Sequence, residues 1–244
     1  MMIYLRSAVF NVLVYLLIPV FGILGLPFAI YSREGTYGVM RAYTHSVLWL
    51  MKVLCGLRYE IRGTAPDGEV VLGAKHQSFI DMMLIIVAVP RPRYVFKREL
   101  LYAPVFGFYG KRIGGIPVAR GKKGAAVRSM VEGIVKQQKE DGPGQTVIFP
   151  QGTRVAPAAK APYKIGVWKI VDTIQVPCVP TATNAGLFWG RKTFLRYPGT
   201  IIMEFLEPIP ADMESVPFMA LLEDRIEAAC HAQNVEAGFP EGRN

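Results

Sequence analysis

The sequence predicts an α/β domain: a mostly parallel sheet of about seven strands flanked by helices, behind an apolar N-terminal segment. After Gly56, short runs rich in valine and isoleucine alternate with longer stretches of helical periodicity. Glycine and proline stand at the ends of most of these runs, where they interrupt regular structure. Strands that alternate with helices indicate parallel strands joined by helical crossovers, which is the basis of the predicted fold class.

The predicted elements follow one another in a regular order. Strands are expected at residues 58–62, 70–73, 93–96, 115–118, 146–149, 176–181 and 200–205. Helices are expected at residues 79–89, 99–112, 122–140, 162–174 and 212–232. Since no internal repeat or low-complexity tract breaks this order, we predict two parts, a helical membrane anchor of residues 1–57 and a catalytic domain of residues 58–244.

The N-terminal segment carries no charge from residue 8 to residue 31, enough for a helix at ~1.5 Å per residue to cross a ~30 Å hydrocarbon layer. Four residues that kink or break helices interrupt it: Pro19, Gly22, Gly25 and Pro27. The next segment, residues 37–57, is mostly apolar but carries Arg41, His45 and Lys52, as a helix at the membrane interface does. We therefore expect monotopic attachment rather than full spanning.

A cleaved signal peptide is the alternative explanation of this segment, because Arg6 precedes the apolar run. No clear small-x-small cleavage site stands before Arg33, and the cysteines argue against export. Cys55, Cys178 and Cys230 are odd in number, far apart and without a CxxC pair. This pattern argues against a disulfide framework and indicates a reducing compartment.

The chain is basic, with 28 Lys and Arg against 19 Asp and Glu and a formal net charge of +9. Such a charge favours an anionic partner, which is nucleic acid, an anionic membrane surface or a phosphorylated substrate. The apolar N-terminal segment decides for the membrane surface and against nucleic acid.

Four polar clusters follow predicted strands: AKHQS, KRE, ARGKK and PQGTR. Ligands of α/β folds bind beyond the carboxyl ends of strands, so we expect the four clusters to face one crevice. Three of them carry arginine, which favours recognition of phosphate. Lys97 in the second cluster is a candidate substrate-binding residue, and Arg120 in the third stands near a predicted helix N-terminus, which favours anions. Lys122 and Lys123 are better explained as a solvated basic face.

His76 and Asp81, five positions apart, are the candidate catalytic residues. Within one regular helix they would diverge by ~140°, so they can meet only if the chain bends between them. With His76 in a loop and Asp81 in the first turn of the following helix, the carboxylate can reach an imidazole N–H. That contact would select the tautomer and leave the other ring nitrogen free as a general base.

A purely structural explanation competes with this one. Ser78 can cap a helix that begins at Phe79, with Asp81 as the acidic member of a capping box. Ser78 as a nucleophile is a further alternative, although no GxSxG turn surrounds it. Cys178 is better explained as a core residue. Metal binding lacks ligands, because the other histidines lie far away in the sequence. The proton is therefore expected to come from a substrate hydroxyl.

The PQGTR cluster supplies the remaining candidates. Gly152 permits a tight turn or the close approach of a ligand. Thr153 and Arg154 offer donors for a phosphate, and Arg154 stands between a strand and this turn.

Taken together, the motifs HQSFID, GGIPVARG, FPQGTR and VPCVPTA resemble those of the bacterial 1-acylglycerol-3-phosphate (lysophosphatidic acid) acyltransferases, in the same order and spacing over residues 58–210. The resemblance implies that His76 deprotonates the acceptor hydroxyl while Asp81 orients it, and that Arg120 and Arg154 hold the acceptor phosphate. The acyl donor would be acyl-CoA or acyl carrier protein, and the product phosphatidic acid. No metal or cofactor would be needed, and the enzyme would sit on the cytoplasmic face of the inner membrane.

Gln151 is the one departure, since the third motif usually has glutamate there. The resemblance implies that glutamate is tolerated at this position if the acceptor is lysophosphatidic acid. The amide leaves the acceptor open, and another lysolipid such as lyso-ornithine lipid is an alternative. A non-catalytic membrane protein that binds anionic lipid also fits the charge and the anchor, but it does not explain the His/Asp pair.

Overall fold

A computed structural model describes residues 1–119 and 123–242 of the chain. Within these residues, seven strands form one sheet in the order β1-β7-β6-β2-β5-β3-β4. The strands are β1 (Leu57–Arg62), β2 (Val70–Ala74), β3 (Pro92–Lys97), β4 (Ile116–Val118), β5 (Gln145–Ile148), β6 (Cys178–Thr183) and β7 (Gly199–Phe205). Strands β6 and β7 pair antiparallel, and the other neighbours pair parallel. The predicted fold class is confirmed.

The helices lie close to their predicted positions. They are α1 (Met2–Leu24), α2 (Leu26–Tyr31), α3 (Arg33–Cys55), α4 (Ile80–Ala88), α5 (Pro104–Arg112), α6 (Lys123–Asp141), α7 (Gly166–Ile174) and α8 (Ser215–Glu236). The helix expected at 99–112 is two elements, a 3-10 helix at Arg98–Tyr102 followed by α5. Pro104 causes the division, because it cannot continue a helix but is favoured in the first turn of a new one.

The sheet is covered on both faces, as strand β2 shows. Val70, Leu72 and Ala74 belong to a core shared with α1, α3 and α4. Val71 points to the opposite face, into a core shared with α6, α7 and α8. Successive side chains of a strand alternate between the faces, so a strand buried on both sides needs an unbroken apolar run.

Helix α1 corrects one expectation about the N-terminal segment. It continues through Pro19 and Gly22, and the chain turns only at Gly25. Proline removes one helical hydrogen bond, and packing compensates for this loss: a Cβ on Gly22 would lie 2.7 Å from Val105 of α5, so the two helices approach closely there. Among the described residues, α1 is the one helix long and apolar enough to cross a membrane.

The N-terminal helices share the core of the sheet. Phe10 of α1 and Val47 and Met51 of α3 are fully buried in the same cluster as Leu72 and Leu84. The outer side of α1 remains apolar and exposed, with Leu5, Val12, Leu16, Val20 and Ile23 among its exposed residues. The division into an anchor of residues 1–57 and a catalytic domain of residues 58–244 stays a prediction.

The β6–β7 loop, residues 184–198, lies against α1. The Arg196 N–H donates to Ser7 Oγ at 2.9 Å, and Asn11 Nδ2 donates to the Phe194 carbonyl at 2.9 Å. The Phe10 ring meets the Trp189 ring edge to face, with centroids 5.3 Å apart. These contacts connect the apolar helix to a loop at the edge of the sheet where β2 and β6 end.

Candidate active site

His76 and Asp81 meet where strand β2 passes into helix α4. His76 Nδ1 lies 3.0 Å from Asp81 Oδ2. The same carboxylate oxygen accepts the backbone N–H groups of Gln77 and Ser78, each at 2.7 Å. Asp81 is fully buried, whereas 15% of the His76 side chain is exposed. The bend between the two residues therefore brings them together, as their spacing requires.

One carboxylate thus fixes the turn and holds the imidazole. An ionised carboxylate only accepts hydrogen bonds, so the Nδ1 nitrogen of a neutral imidazole must donate, and Nε2 keeps its lone pair. The predicted cap is wrong in its position: α4 begins at Ile80 after Phe79, whose side chain forms no cap, and Ser78 Oγ accepts the Ile80 N–H only at 3.4 Å. Asp81 instead accepts two N–H groups of the turn before the helix, so one carboxylate both stabilises the turn and orients the histidine.

The segment after strand β5 contacts His76 at two points. The Phe149 ring stacks on the imidazole, with centroids 3.9 Å apart and planes inclined by 18°. The Val155 N–H donates to the His76 carbonyl at 2.8 Å. Residues 149–155 are therefore neighbours of the histidine, and the first and last of the four polar clusters share one crevice.

Within that segment, the turn of residues 152–154 is built around Gly152. Its φ of +69° is unfavourable for other residues, and a Cβ there would lie 2.6 Å from Lys164 Nζ. Gln151 is buried, and its Nε2 donates to the Ala161 carbonyl at 3.3 Å, while its Oε1 has no partner among the described residues. Thr153 is exposed and Arg154 is half-buried.

The two other basic candidates are less well connected. Lys97, at the end of β3, lies 3.4 Å from Glu99 Oε1. Within residues 1–119 and 123–242, no hydrogen bond or ion pair joins Lys97 to His76 or to the 152–154 turn. Arg120 and Lys122 lie outside the described residues, and so does the side chain of Lys123. The substrate-binding roles of Lys97 and Arg120 stay predictions.

The alternative nucleophiles are inaccessible. Ser78 is fully buried beneath the turn. Burial raises the pKa of the Cys178 thiol to about 12, and burial likewise raises the pKa of Cys230 to about 12. Both cysteines are therefore protonated at neutral pH and poor nucleophiles. Among the residues that the structure describes, no three His, Cys, Asp or Glu side chains could together hold a metal ion.

Comparison with known proteins decides the family. A family model described as Acyltransferase matches residues 57–184, just over half of the chain. The chain is 30% identical over 192 residues to the 1-acyl-sn-glycerol-3-phosphate acyltransferase of Pseudomonas aeruginosa, covering 78% of this chain and 74% of that one. The chain belongs to the acyltransferase family. This enzyme is also 29% identical to the human 1-acyl-sn-glycerol-3-phosphate acyltransferase alpha, over 72% of its own length and 63% of that protein.

A solved structure matches the fold of this acyltransferase. The 1-acyl-sn-glycerophosphate (LPA) acyltransferase PlsC from Thermotoga maritima superposes with a TM-score of 0.76 at 18% identity, over 94% of this chain and 95% of that one. The match includes the sheet and the N-terminal helices. Since the chain is an acyltransferase, the non-catalytic alternative is set aside.

The sequence did not point to Lys75, whose ammonium is buried beneath the candidate active site. Only 1% of its side chain is exposed, and Nζ lies 2.6 Å from Glu227 Oε1 on α8. The Tyr163 hydroxyl donates to the same oxygen at 2.8 Å. This network joins the residue preceding His76 to the C-terminal helix.

Arg191, in the β6–β7 loop, is the second residue that the motifs do not include. Its Nη1 donates to Thr153 Oγ1 at 3.1 Å and to the Arg154 carbonyl at 3.3 Å. The loop is also tied to the turn between β2 and α4, because the Gly186 N–H donates to Gln77 Oε1 at 2.9 Å. The available sequence signal was the basic pair Arg191 and Lys192, which stands after Gly190 in the connection that follows strand β6.

An apolar cavity of about 130 Å³ opens beside the turn between β2 and α4. It lies between α1, α3, α4 and α5, and its lining includes Phe21, Met40, Phe79, Met82, Val105 and Phe106. Phe79, one of the lining residues, belongs to the turn between His76 and α4.

Proposed function

We propose that this acyltransferase moves an acyl chain from an acyl thioester, of CoA or acyl carrier protein, to the free hydroxyl of 1-acylglycerol-3-phosphate, giving phosphatidic acid for phospholipid synthesis. The observation that carries the proposal is the 3.0 Å contact of His76 Nδ1 with the buried Asp81 carboxylate. The matched relatives named for this reaction support the same substrate class.

The reaction follows from the free Nε2 of His76. Nε2 takes the proton of the acceptor hydroxyl as the oxygen attacks the thioester carbonyl. The tetrahedral intermediate collapses, the C–S bond breaks, and the leaving sulfur receives the proton from the imidazolium. Asp81 is a positioning residue that stabilises the charged ring. Burial of Ser78 and of the Cys178 thiol supports direct transfer without an acyl-enzyme.

The 152–154 turn is the proposed site of the acceptor phosphate. The Arg154 side chain forms no ion pair with a carboxylate within the described residues. A guanidinium in that state can present two parallel N–H donors to a phosphate. Arg120 and Lys97 are proposed to contribute to phosphate binding as well, and the reaction is proposed to need no metal or cofactor.

The apolar cavity is the proposed place of an acyl chain. Its lining is apolar and comes partly from α1 and α3, so a chain inside it would pass from the active site towards the N-terminal helices. Those helices are proposed to hold the enzyme on the cytoplasmic face of the inner membrane in a monotopic manner. The exposed apolar side of α1 supports this arrangement, since its burial in acyl chains is favourable.

The experiment that tests the function supplies membranes containing the protein with lysophosphatidic acid and either oleoyl-CoA or oleoyl acyl carrier protein. Mass spectrometry then identifies the lipid formed. Phosphatidic acid above the level of His76→Ala membranes is the expected product. If lyso-ornithine lipid is acylated and lysophosphatidic acid is not, the acceptor assignment is wrong, while the mechanism at His76 stands.

A further inference from the structure

We infer that Arg191 is a specificity-determining residue that binds the acceptor phosphate together with Arg154. The inference rests on the proposed function, because it concerns the same acceptor. It adds to the motif residues a side chain that reaches the site from the β6–β7 loop. Three observations carry it: the contacts of Arg191, the charges around the 152–154 turn, and the attachment of the loop to the turn between β2 and α4.

The contacts place the guanidinium directly on the turn. Nη1 of Arg191 bonds to Thr153 Oγ1 and to the Arg154 carbonyl, at 3.1 and 3.3 Å. Within the part of the chain that is described, Nε and Nη2 of Arg191 make no hydrogen bond. Because a guanidinium carries five N–H donors in a fixed plane, one nitrogen can hold the turn while others face a ligand.

The charges around the turn are positive and uncompensated. Lys164 Nζ lies over Gly152, where a Cβ would meet it, so Lys164 and Arg191 both lie against a three-residue turn that carries Arg154 itself. In the described ranges 1–119 and 123–242, no carboxylate forms an ion pair with any of these three. Such a group of cations favours an anionic ligand, and a phosphate dianion accepts from several donors at once.

The attachment of the loop relates this cluster to the reacting atoms. The Gly186 N–H bonds to the Gln77 side chain, next to His76, and a Cβ on Gly186 would lie 2.7 Å from Pro157. The segment that contains Pro157 is itself tied to His76, because the Val155 N–H donates to the His76 carbonyl. A phosphate bound at Arg191 and Arg154 is therefore kept near the base, as transfer to a glycerol hydroxyl requires.

The test measures initial rates for wild type, Arg191→Ala, Arg191→Lys and the control Lys192→Asn. Lys192 is exposed, carries the same charge one residue further on, and has a φ of +59°, which asparagine tolerates. Arg191→Ala should raise the KM for lysophosphatidic acid by about ten- to a hundredfold, with little change in kcat or in the KM for oleoyl-CoA. The KM of Arg191→Lys for lysophosphatidic acid should lie between those of wild type and Arg191→Ala, because lysine keeps the charge but cannot present two parallel N–H donors. Lys192→Asn should stay within about twofold of wild type.

Three results would overturn the inference. The first is an equal rise of the KM for lysophosphatidic acid in Lys192→Asn and Arg191→Ala. Such a result would mean that positive charge attracts the lipid in general, without a directed contact from Arg191. The second is an equal rise of both KM values. The third is a KM for lysophosphatidic acid in Arg191→Ala that stays within about twofold of the wild-type value.

Calorimetric binding of lysophosphatidic acid in detergent micelles separates this inference from the proposed function. Wild-type protein that binds the lipid through Arg191, yet forms no phosphatidic acid, overturns the reaction and supports the binding role. Wild-type protein that neither binds nor acylates the lipid overturns both. Thermal melting of each variant confirms that the compared proteins are folded.

Discussion

Nζ of Lys75 lies 2.6 Å from Oε1 of Glu227, so the cation next to the proposed base is held by helix α8. The two partners differ in exposure, since 1% of the Lys75 side chain and 40% of the Glu227 side chain are exposed. A buried charge without its partner costs far more than a buried apolar side chain. Removing Glu227 should therefore lower the free energy of unfolding more than removing Lys75.

Glu227→Gln is expected to destabilise the enzyme by about 2 kcal/mol, or ~4–8 °C in Tm. The loss is below that of a fully buried pair because Glu227 is partly exposed. Lys75→Met is expected to cost under about 1 kcal/mol, since methionine fills a similar volume and Glu227 keeps water and Tyr163 as partners. Thermal melting in detergent measures both. A larger loss in Lys75→Met would contradict the assigned asymmetry.

Substitutions at the turn between β2 and α4 should separate the proposed chemistry from stabilisation of the turn. His76→Ala is expected to lower kcat by ~10²–10⁴-fold with the fold retained, because the proposed general base is removed. Asp81→Asn should lower both kcat and Tm, since Oδ2 also holds two backbone N–H groups. Ser78→Ala is the control, because it loses only a 3.4 Å bond to the Ile80 N–H. Similar kcat in wild type and folded His76→Ala would exclude the mechanism.

Gln151→Glu is predicted to be costly, although the family resemblance implies tolerance. Nε2 of Gln151 donates to the Ala161 carbonyl, and a carboxylate oxygen there would be buried against that carbonyl. The pKa of the new carboxyl is then raised above its usual value of about 4.3. A group with a raised folded-state pKa loses stability as the pH rises through that pKa, so the deficit in Tm should be small near pH 4.5 and larger at pH 8.

Gln151→Met provides the matched control, because it loses the hydrogen bond without gaining a charge. Its Tm deficit relative to wild type should be the same at both pH values. If the Tm deficit of Gln151→Glu is also the same at both pH values, the carboxylate has found a polar partner. The contact assigned to the Ala161 carbonyl would then be wrong.

The thiols of Cys178 and Cys230 should be inert in the native protein. Burial raises the pKa of each to about 12, so thiolate is scarce at pH 8 and increases only as the pH approaches that value. A disulfide reagent at pH 8 should modify neither residue until denaturant is added. Cys178→Ala should retain kcat within a few-fold. Rapid native modification of Cys178 with loss of turnover would revive a covalent intermediate.

The parts predicted from the sequence are those with local signals. The seven strands were recognisable because apolar runs such as residues 70–74 are bounded by glycine, proline or charge. The His76–Asp81 contact followed from a spacing of five residues that only a bend can close. Strand ends and a contact within one turn both depend on neighbouring residues, which a sequence displays directly.

The remaining parts depend on residues far apart in the chain. The Lys75–Glu227 pair joins residues 152 positions apart in the sequence, and Arg191 contacts Thr153, which lies 38 positions before it. No periodicity encodes such pairs. Pro19 was misjudged for a related reason, because a proline interrupts a helix in isolation, whereas close packing of α1 on α5 supports the continuous helix.

The β6–β7 loop is fastened to α1 through Ser7 and Asn11, and through Arg191 it reaches the 152–154 turn. Both attachments belong to one short stretch of chain, so we expect a change in the tilt of α1 to move the Arg191 guanidinium. Under the proposed membrane attachment, the bilayer that holds α1 would then influence the acceptor site. Its thickness should tune the apparent affinity for the acceptor, and micelles of different sizes should give different KM values for one and the same protein.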